Sequence, residues 1–146
     1  MAFIKSAKRG KFLAVNAAQG ATTSGAGLIQ WEFTGDGTQQ WELQTTASGS
    51  VLIRNVGSGK VIDVPGGSQN AGTQLIQFDE NDGRNQLWNM ISVTNTPDGA
   101  GVAFQNVATN LFINIAGASS DDGAEIIEWP EFPGGVESNT VWLLSS

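Results

Sequence analysis

Gly59-Lys60-Val61-Ile62-Asp63-Val64, Leu75-Ile76-Gln77-Phe78 and Asn85-Gln86-Leu87-Trp88 are three stretches that the chain presents again, in the same order, on either side. The earlier copy reads Gly10-Lys11-Phe12-Leu13-Ala14-Val15, Leu28-Ile29-Gln30-Trp31 and Gln39-Gln40-Trp41. The later copy reads Asn110-Leu111-Phe112-Ile113-Asn114-Ile115, Ile126-Ile127-Glu128-Trp129 and Thr140-Val141-Trp142. A period of about 50 residues with strand-like content means repeated supersecondary units that close on a shared core. Around these markers the apolar positions come in short runs, such as Val51-Leu52-Ile53 and Leu111-Phe112-Ile113, each bounded by Gly, Asn, Ser or Asp. Such runs predict an all-β barrel or sandwich, and no stretch sustains helical periodicity. The 146 residues provide for one hydrophobic core. The copies, at roughly 1–47, 48–95 and 96–146, are therefore expected to share a single domain.

Composition removes several chemistries. A formal charge of −7 with 7 basic residues works against nucleic acid and anionic membrane surfaces as partners. Lys5, Lys8, Arg9 and Lys11 form a basic cluster that reads as a solvated loop or edge strand. The chain has no histidine, cysteine or tyrosine, so histidine triads, thiol nucleophiles, disulfides and thiolate metal sites are all closed to it. Ser58 beside Lys60 reads as a hairpin turn between glycines rather than a catalytic pair. Asp79-Glu80-Asn81-Asp82-Gly83 crowds oxygen ligands around a glycine but lacks the EF-hand spacing, so it reads as an Asx-rich turn. No metal and no cofactor are expected. The N-terminal Met1-Ala2-Phe3-Ile4-Lys5 lacks the apolar stretch of a signal peptide and no run reaches membrane-spanning length. The expectation is a cytoplasmic protein, with release by a leaderless route left open, and no membrane insertion.

Three registered Gln-x-Trp endings, with Thr140 in place of the last glutamine, make the chain resemble the R-type, or ricin B-like, lectins. The resemblance runs from about Phe3 to Leu144 and implies a β-trefoil, a six-stranded barrel capped by three hairpins. The indoles of Trp41, Trp88 and Trp142 are then expected in the core, with Gln39 and Gln86 pairing buried backbone groups.

Sites in that family combine a carboxylate early in the repeat, an aromatic platform and an asparagine just before Gln-x-Trp. A pyranose offers a face of C–H groups and fixed hydroxyls, so a flat apolar wall with convergent polar groups suits it. By this resemblance the second copy carries Asp63, Phe78 and Asn85, with Gly66 at the turn where backbone approaches the sugar. The third carries Asn114, Trp129 and Asn139, with Gly117 at the turn. Asn114 loses the charge, which weakens a hydroxyl contact by about 1 kcal/mol. The loop from Trp129 to Asn139 also contains Pro130, Pro133 and Gly134-Gly135 and is longer than its counterpart. The first copy keeps Trp31 but has Ala14 and Thr38 at the polar positions, so its site is expected to be vestigial, with Asp36 the one substitute acceptor.

The resemblance implies a non-enzymatic lectin for terminal galactose or N-acetylgalactosamine on glycoproteins or glycolipids. A homodimer would multiply such sites and raise the effective concentration on clustered glycans. Two other classes stand beside it. One is a protein-binding trefoil, such as a protease inhibitor, acting through loops such as Glu131-Phe132-Pro133. The other is a glycosidase pairing Asp63 with Asp79 or Glu80, disfavoured because a solvated pocket does little to raise a carboxyl pKa.

Overall fold

A computed structural model describes residues 1–96, 99–130 and 139–146, with backbone alone for 94–96 and 99–100. The loop residues Glu131-Phe132-Pro133 of the protein-binding alternative lie outside the described residues. Among the described residues twelve strands form one antiparallel sheet: β1 Phe3–Ser6, β2 Phe12–Val15, β3 Leu28–Trp31, β4 Trp41–Thr45, β5 Val51–Asn55, β6 Val61–Asp63, β7 Ile76–Phe78, β8 Trp88–Thr96, β9 Gly99–Asn106, β10 Phe112–Ile115, β11 Ile126–Trp129 and β12 Trp142–Ser145.

Six of these close a barrel. Pairing runs β1–β12–β9–β8–β5–β4, and the Ala2↔Trp41 bridge returns the ring to its start. Closure leaves the barrel without an open edge to recruit a neighbour. The remaining strands form three hairpins, β2–β3, β6–β7 and β10–β11. Bridges Gly27↔Ile76, Ile29↔Glu125 and Gln74↔Ile127 knit the hairpins to one another. The expected β-trefoil is what the chain adopts.

Trp41, Trp88 and Trp142 are fully buried in one cluster with Ile4, Leu13, Ile53, Ile62, Phe104 and Ile113. Burying an indole requires a partner for its N–H. Each finds the same one, a carbonyl on the first strand of its own hairpin: Leu13 at 3.0 Å, Ile62 at 3.2 Å and Ile113 at 3.2 Å. The glutamines do as expected. Gln39 Nε2 donates to Glu32 O, and Thr34 N donates to Gln39 Oε1. Gln86 Nε2 donates to Asp79 O, and Asn81 N donates to Gln86 Oε1. Thr140, at the third such position, is fully buried. Gly59 turns with φ +75 between β5 and β6, and Asn81 Oδ1 accepts from Gly83 N, so both stretches are turns.

Candidate functional site

In the second copy Asp63 ends β6, opposite Ile76 of β7, and Phe78 lies two residues further along the same hairpin. Asp63 is 3% exposed. Its Oδ1 accepts from Asn85 Nδ2 at 3.3 Å and its Oδ2 from Gln86 Nε2 at 2.8 Å. Burial pushes the carboxyl above its ordinary value, and the Gln86 bond opposes that rise. A carboxylate oxygen has two lone-pair sites, so each keeps capacity for a ligand hydroxyl. Phe78 is 38% exposed, unlike the core indoles. Gly66 and Gly67 take φ +64 and +63, and open space lies where a Gly66 side chain would project. A hydrogen bond thus joins Asp63 to Asn85, the turn Pro65–Gly67 follows directly, and Phe78 stands opposite Val61 on the same hairpin.

The third copy shows a cavity of about 270 Å³ whose lining includes Asn114, Gly117, Trp129 and Asn139, with Ile115, Ala118 and Ile127. All four residues expected there line it. Asn114 is nearly buried and its Oδ1 accepts from Ile115 N at 2.6 Å. Trp129 is 42% exposed, and Gly117, at φ +64, again faces open space. One further residue was missed by sequence reasoning. Arg9, from the turn between β1 and β2, donates Nε to Asn139 Oδ1 and Nη1 to Ser120 Oγ, both at 3.3 Å. Lys11 pairs with Asp122 at 2.8 Å. The basic cluster is therefore more than a solvated loop, and β1 lies between β12 and β2 rather than at an edge.

The first copy retains a cavity of about 320 Å³ lined by Ala14, Ile29, Trp31, Thr34, Asp36 and Thr38 among others. Asp36 accepts from the Thr38 hydroxyl, which holds its carboxyl below the usual range, and from Thr38 N at 3.0 Å, which caps the turn Gly37–Gln39. The position of Gly66 is taken by Ala17 in a turn capped by Asn16. An apolar floor with an aromatic wall is present, while the buried acceptor and amide of the other two copies are absent.

The two tryptophan platforms also lean on another copy, whereas a methyl group at Gly25, the third such glycine, would meet open space. A methyl group at Gly72 would touch Trp129 at 3.8 Å, and one at Gly123 would touch Trp31 at 3.7 Å. Backbone bonds follow the same rotation: Gly25 N to Gln77 O, Gly72 N to Glu128 O, and Gly123 N to Gln30 O. Turns dock in rotation too, with Ala7 N on Val141 O, Val56 N on Gln40 O and Val107 N on Leu87 O.

Comparison with known proteins agrees with this geometry. The family described as ricin-type beta-trefoil lectin domain-like matches twice, over residues 2–78 and 38–129. The chain belongs to that family. No curated protein sequence matches it. Among solved structures it is similar to ThreeFoil, a designed three-fold symmetric protein, at 29% identity and a TM-score of 0.86, over 99% of this chain and 97% of that one. It is similar to an exo-beta-1,3-galactanase from Clostridium thermocellum at 30% identity and a TM-score of 0.86, over 98% of this chain but 29% of the enzyme. The Macrolepiota procera ricin B-like lectin, solved with lactose, shares the fold at 14% identity and a TM-score of 0.76, over 99% of this chain and 94% of that one.

Proposed function

We propose that residues 1–146 act as one domain of three copies that binds carbohydrate without catalysis. The second and third copies carry the working sites, and terminal galactose or N-acetylgalactosamine is the preferred sugar of the second. The observation that carries this reading is the buried Asp63 carboxylate held beside Asn85, with Phe78 half-exposed on the same hairpin. Hydroxyls near C3 and C4 of a pyranose would reach Asp63 and Asn85 while the C–H face lies on Phe78. The sugar preference follows the family to which the chain belongs. The acidic neighbours proposed for hydrolysis are engaged elsewhere, Glu80 with Arg54 and Asp79 with Lys60 at 3.6 Å.

Calorimetric titration with galactose, N-acetylgalactosamine and lactose tests this. The wild type gives saturable heat at millimolar sugar, and Asp63→Ala, checked to be folded, loses the second-copy component. Absence of heat with all three sugars in a folded wild type would sink the reading.

A further inference from the structure

The three turns that lead from barrel strand to hairpin are equivalent: Gly10 N, Gly59 N and Asn110 N donate to Ser6 O, Asn55 O and Asn106 O. Arg9, Ser58 and Thr109 therefore occupy one structural position. At two of them a hydroxyl serves the fold, as Ser58 Oγ donates to Gln77 Oε1 at 2.7 Å and Thr109 Oγ1 to Glu128 Oε1 at 2.9 Å. Arg9 turns away from this task, and Gln30 Oε1, the matching oxygen, is buried with no partner among the described residues. An unpaired buried acceptor is a cost.

The guanidinium instead reaches the edge of the third-copy site, holding Oδ1 of Asn139, which lines the cavity, and Ser120 Oγ beside it. Among the described residues no carboxylate pairs with it, while Asp122, on the same loop as Ser120, is already paired with Lys11. The site it joins has lost a negative charge, because Asn114 stands where the second copy has Asp63. Against the second copy, the third is thus more positive at two positions, one carboxylate replaced by an amide and one hydroxyl residue by arginine. The lost carboxylate weakens the hold on the hydroxyl-only ligand that suits Asp63, and both changes favour an anion.

We propose that the third-copy site takes a saccharide carrying a carboxylate, with Trp129 as its platform and Arg9 as the group that pairs with the acid. The inference rests on the carbohydrate-binding reading and names the ligand class of this one site. A guanidinium presents parallel N–H donors that match a carboxylate, and such bonds are stronger than neutral ones. The shared chemistry is a pyranose bearing an acid, whether a uronic acid or a sialic acid.

The test follows indole N–H signals in ¹H–¹⁵N spectra, Trp129 being assigned by Trp129→Phe. The wild type is titrated with methyl galactoside, methyl galacturonide and 3′-sialyllactose at constant ionic strength, and calorimetry on Asp63→Ala isolates the second site. The Trp129 signal is expected to saturate with at least one acidic sugar about tenfold more tightly than with methyl galactoside, a charge-assisted gain. Arg9→Gln should abolish the difference, and Asn114→Asp, which restores the carboxylate, should reverse it. An equal Trp129 response to acidic and neutral sugars, no response to either acid, or a preference that survives in Arg9→Gln overturns the proposal. Methyl galactoside binding lost in Asp63→Ala keeps the carbohydrate reading when this one fails. Silence at both sites sinks both.

Discussion

Gln86 Nε2 and Asp63 Oδ2 meet at 2.8 Å in the buried interior, so a residue of the repeat's structural signature holds the carboxylate of the proposed site. The same amide group ties down the loop through Asp79 O and Asn81 N. Gln86→Leu removes all three bonds at once and leaves buried polar groups unpaired. It should cost roughly 2–3 kcal/mol in urea unfolding. With the Gln86 donor gone, the Asp63 carboxyl should rise further, and sugar binding that needs the ionised form should fail at a higher pH than in the wild type.

The two aromatic classes should separate stability from binding. Phe78→Ala truncates a half-exposed ring and should change stability by no more than about 0.5 kcal/mol while removing galactoside heat from the second site. Trp88→Phe removes a buried indole and its bond to Ile62 O, and should cost roughly 2 kcal/mol. Thermal melts paired with calorimetry on each variant give the comparison.

Arg9→Ser should be more stable than the wild type by about 1 kcal/mol, because the new hydroxyl can donate to Gln30 Oε1 as Ser58 does to Gln77. Denaturant midpoints measure it. A loss of stability would mean that the Arg9 contacts with Asn139 and Ser120 matter more to the fold than the missing hydroxyl.

Glu128 stands where Gln30 and Gln77 each donate Nε2 to two carbonyls of an adjacent loop, Ser119 and Asp121 for the first, Ala21 and Thr23 for the second. An ionised carboxylate has no proton to donate. Glu128 is fully buried, Oε2 has no partner among the described residues, and burial pushes its carboxyl up from an ordinary 4.5, with bonds to Thr109 and Thr73 opposing. The folded state therefore holds the proton more tightly than the unfolded chain. The stability this provides is full in acid and is lost as pH climbs from the ordinary range through the raised value. Glu128→Gln should remove that loss, so the advantage of the variant in urea unfolding should grow between about pH 4 and pH 7. An advantage that shrinks over that interval would contradict the assignment.

The barrel and its core were legible because Gln-x-Trp and the apolar runs are local patterns whose spacing survives in each copy. Asn114, Asn139 and Trp129 were legible as neighbours, and so were Asp63 and Asn85, because each group lies within one copy. Arg9 was not, since it acts on Asn139 from the far end of the chain and reads locally as one charge in a basic cluster. Laying residues 8–11 over 57–60 shows arginine where serine stands, yet the unpaired Gln30 oxygen that gives the change meaning exists only in three dimensions. Glu128 was visible as an acid in a glutamine column, but its burial follows from the neighbouring hairpins. The first-copy cavity is shaped by Ala14, Ile29 and Trp31 although Ala14 and Thr38 stand where the second copy has Asp63 and Asn85.

The rotation of contacts, Gly72 under Trp129 and Gly123 under Trp31, means that the repeat in the sequence is not the unit of recognition. Transplanting one copy into another trefoil would carry a platform and its polar partners but leave their backing behind. A donor copy would inherit the wall of its new neighbour, and its affinity would be set by a junction that neither parent contained. Ligand preference in such a molecule can drift through substitutions made one third of the chain away, without any change in the residues that touch the sugar.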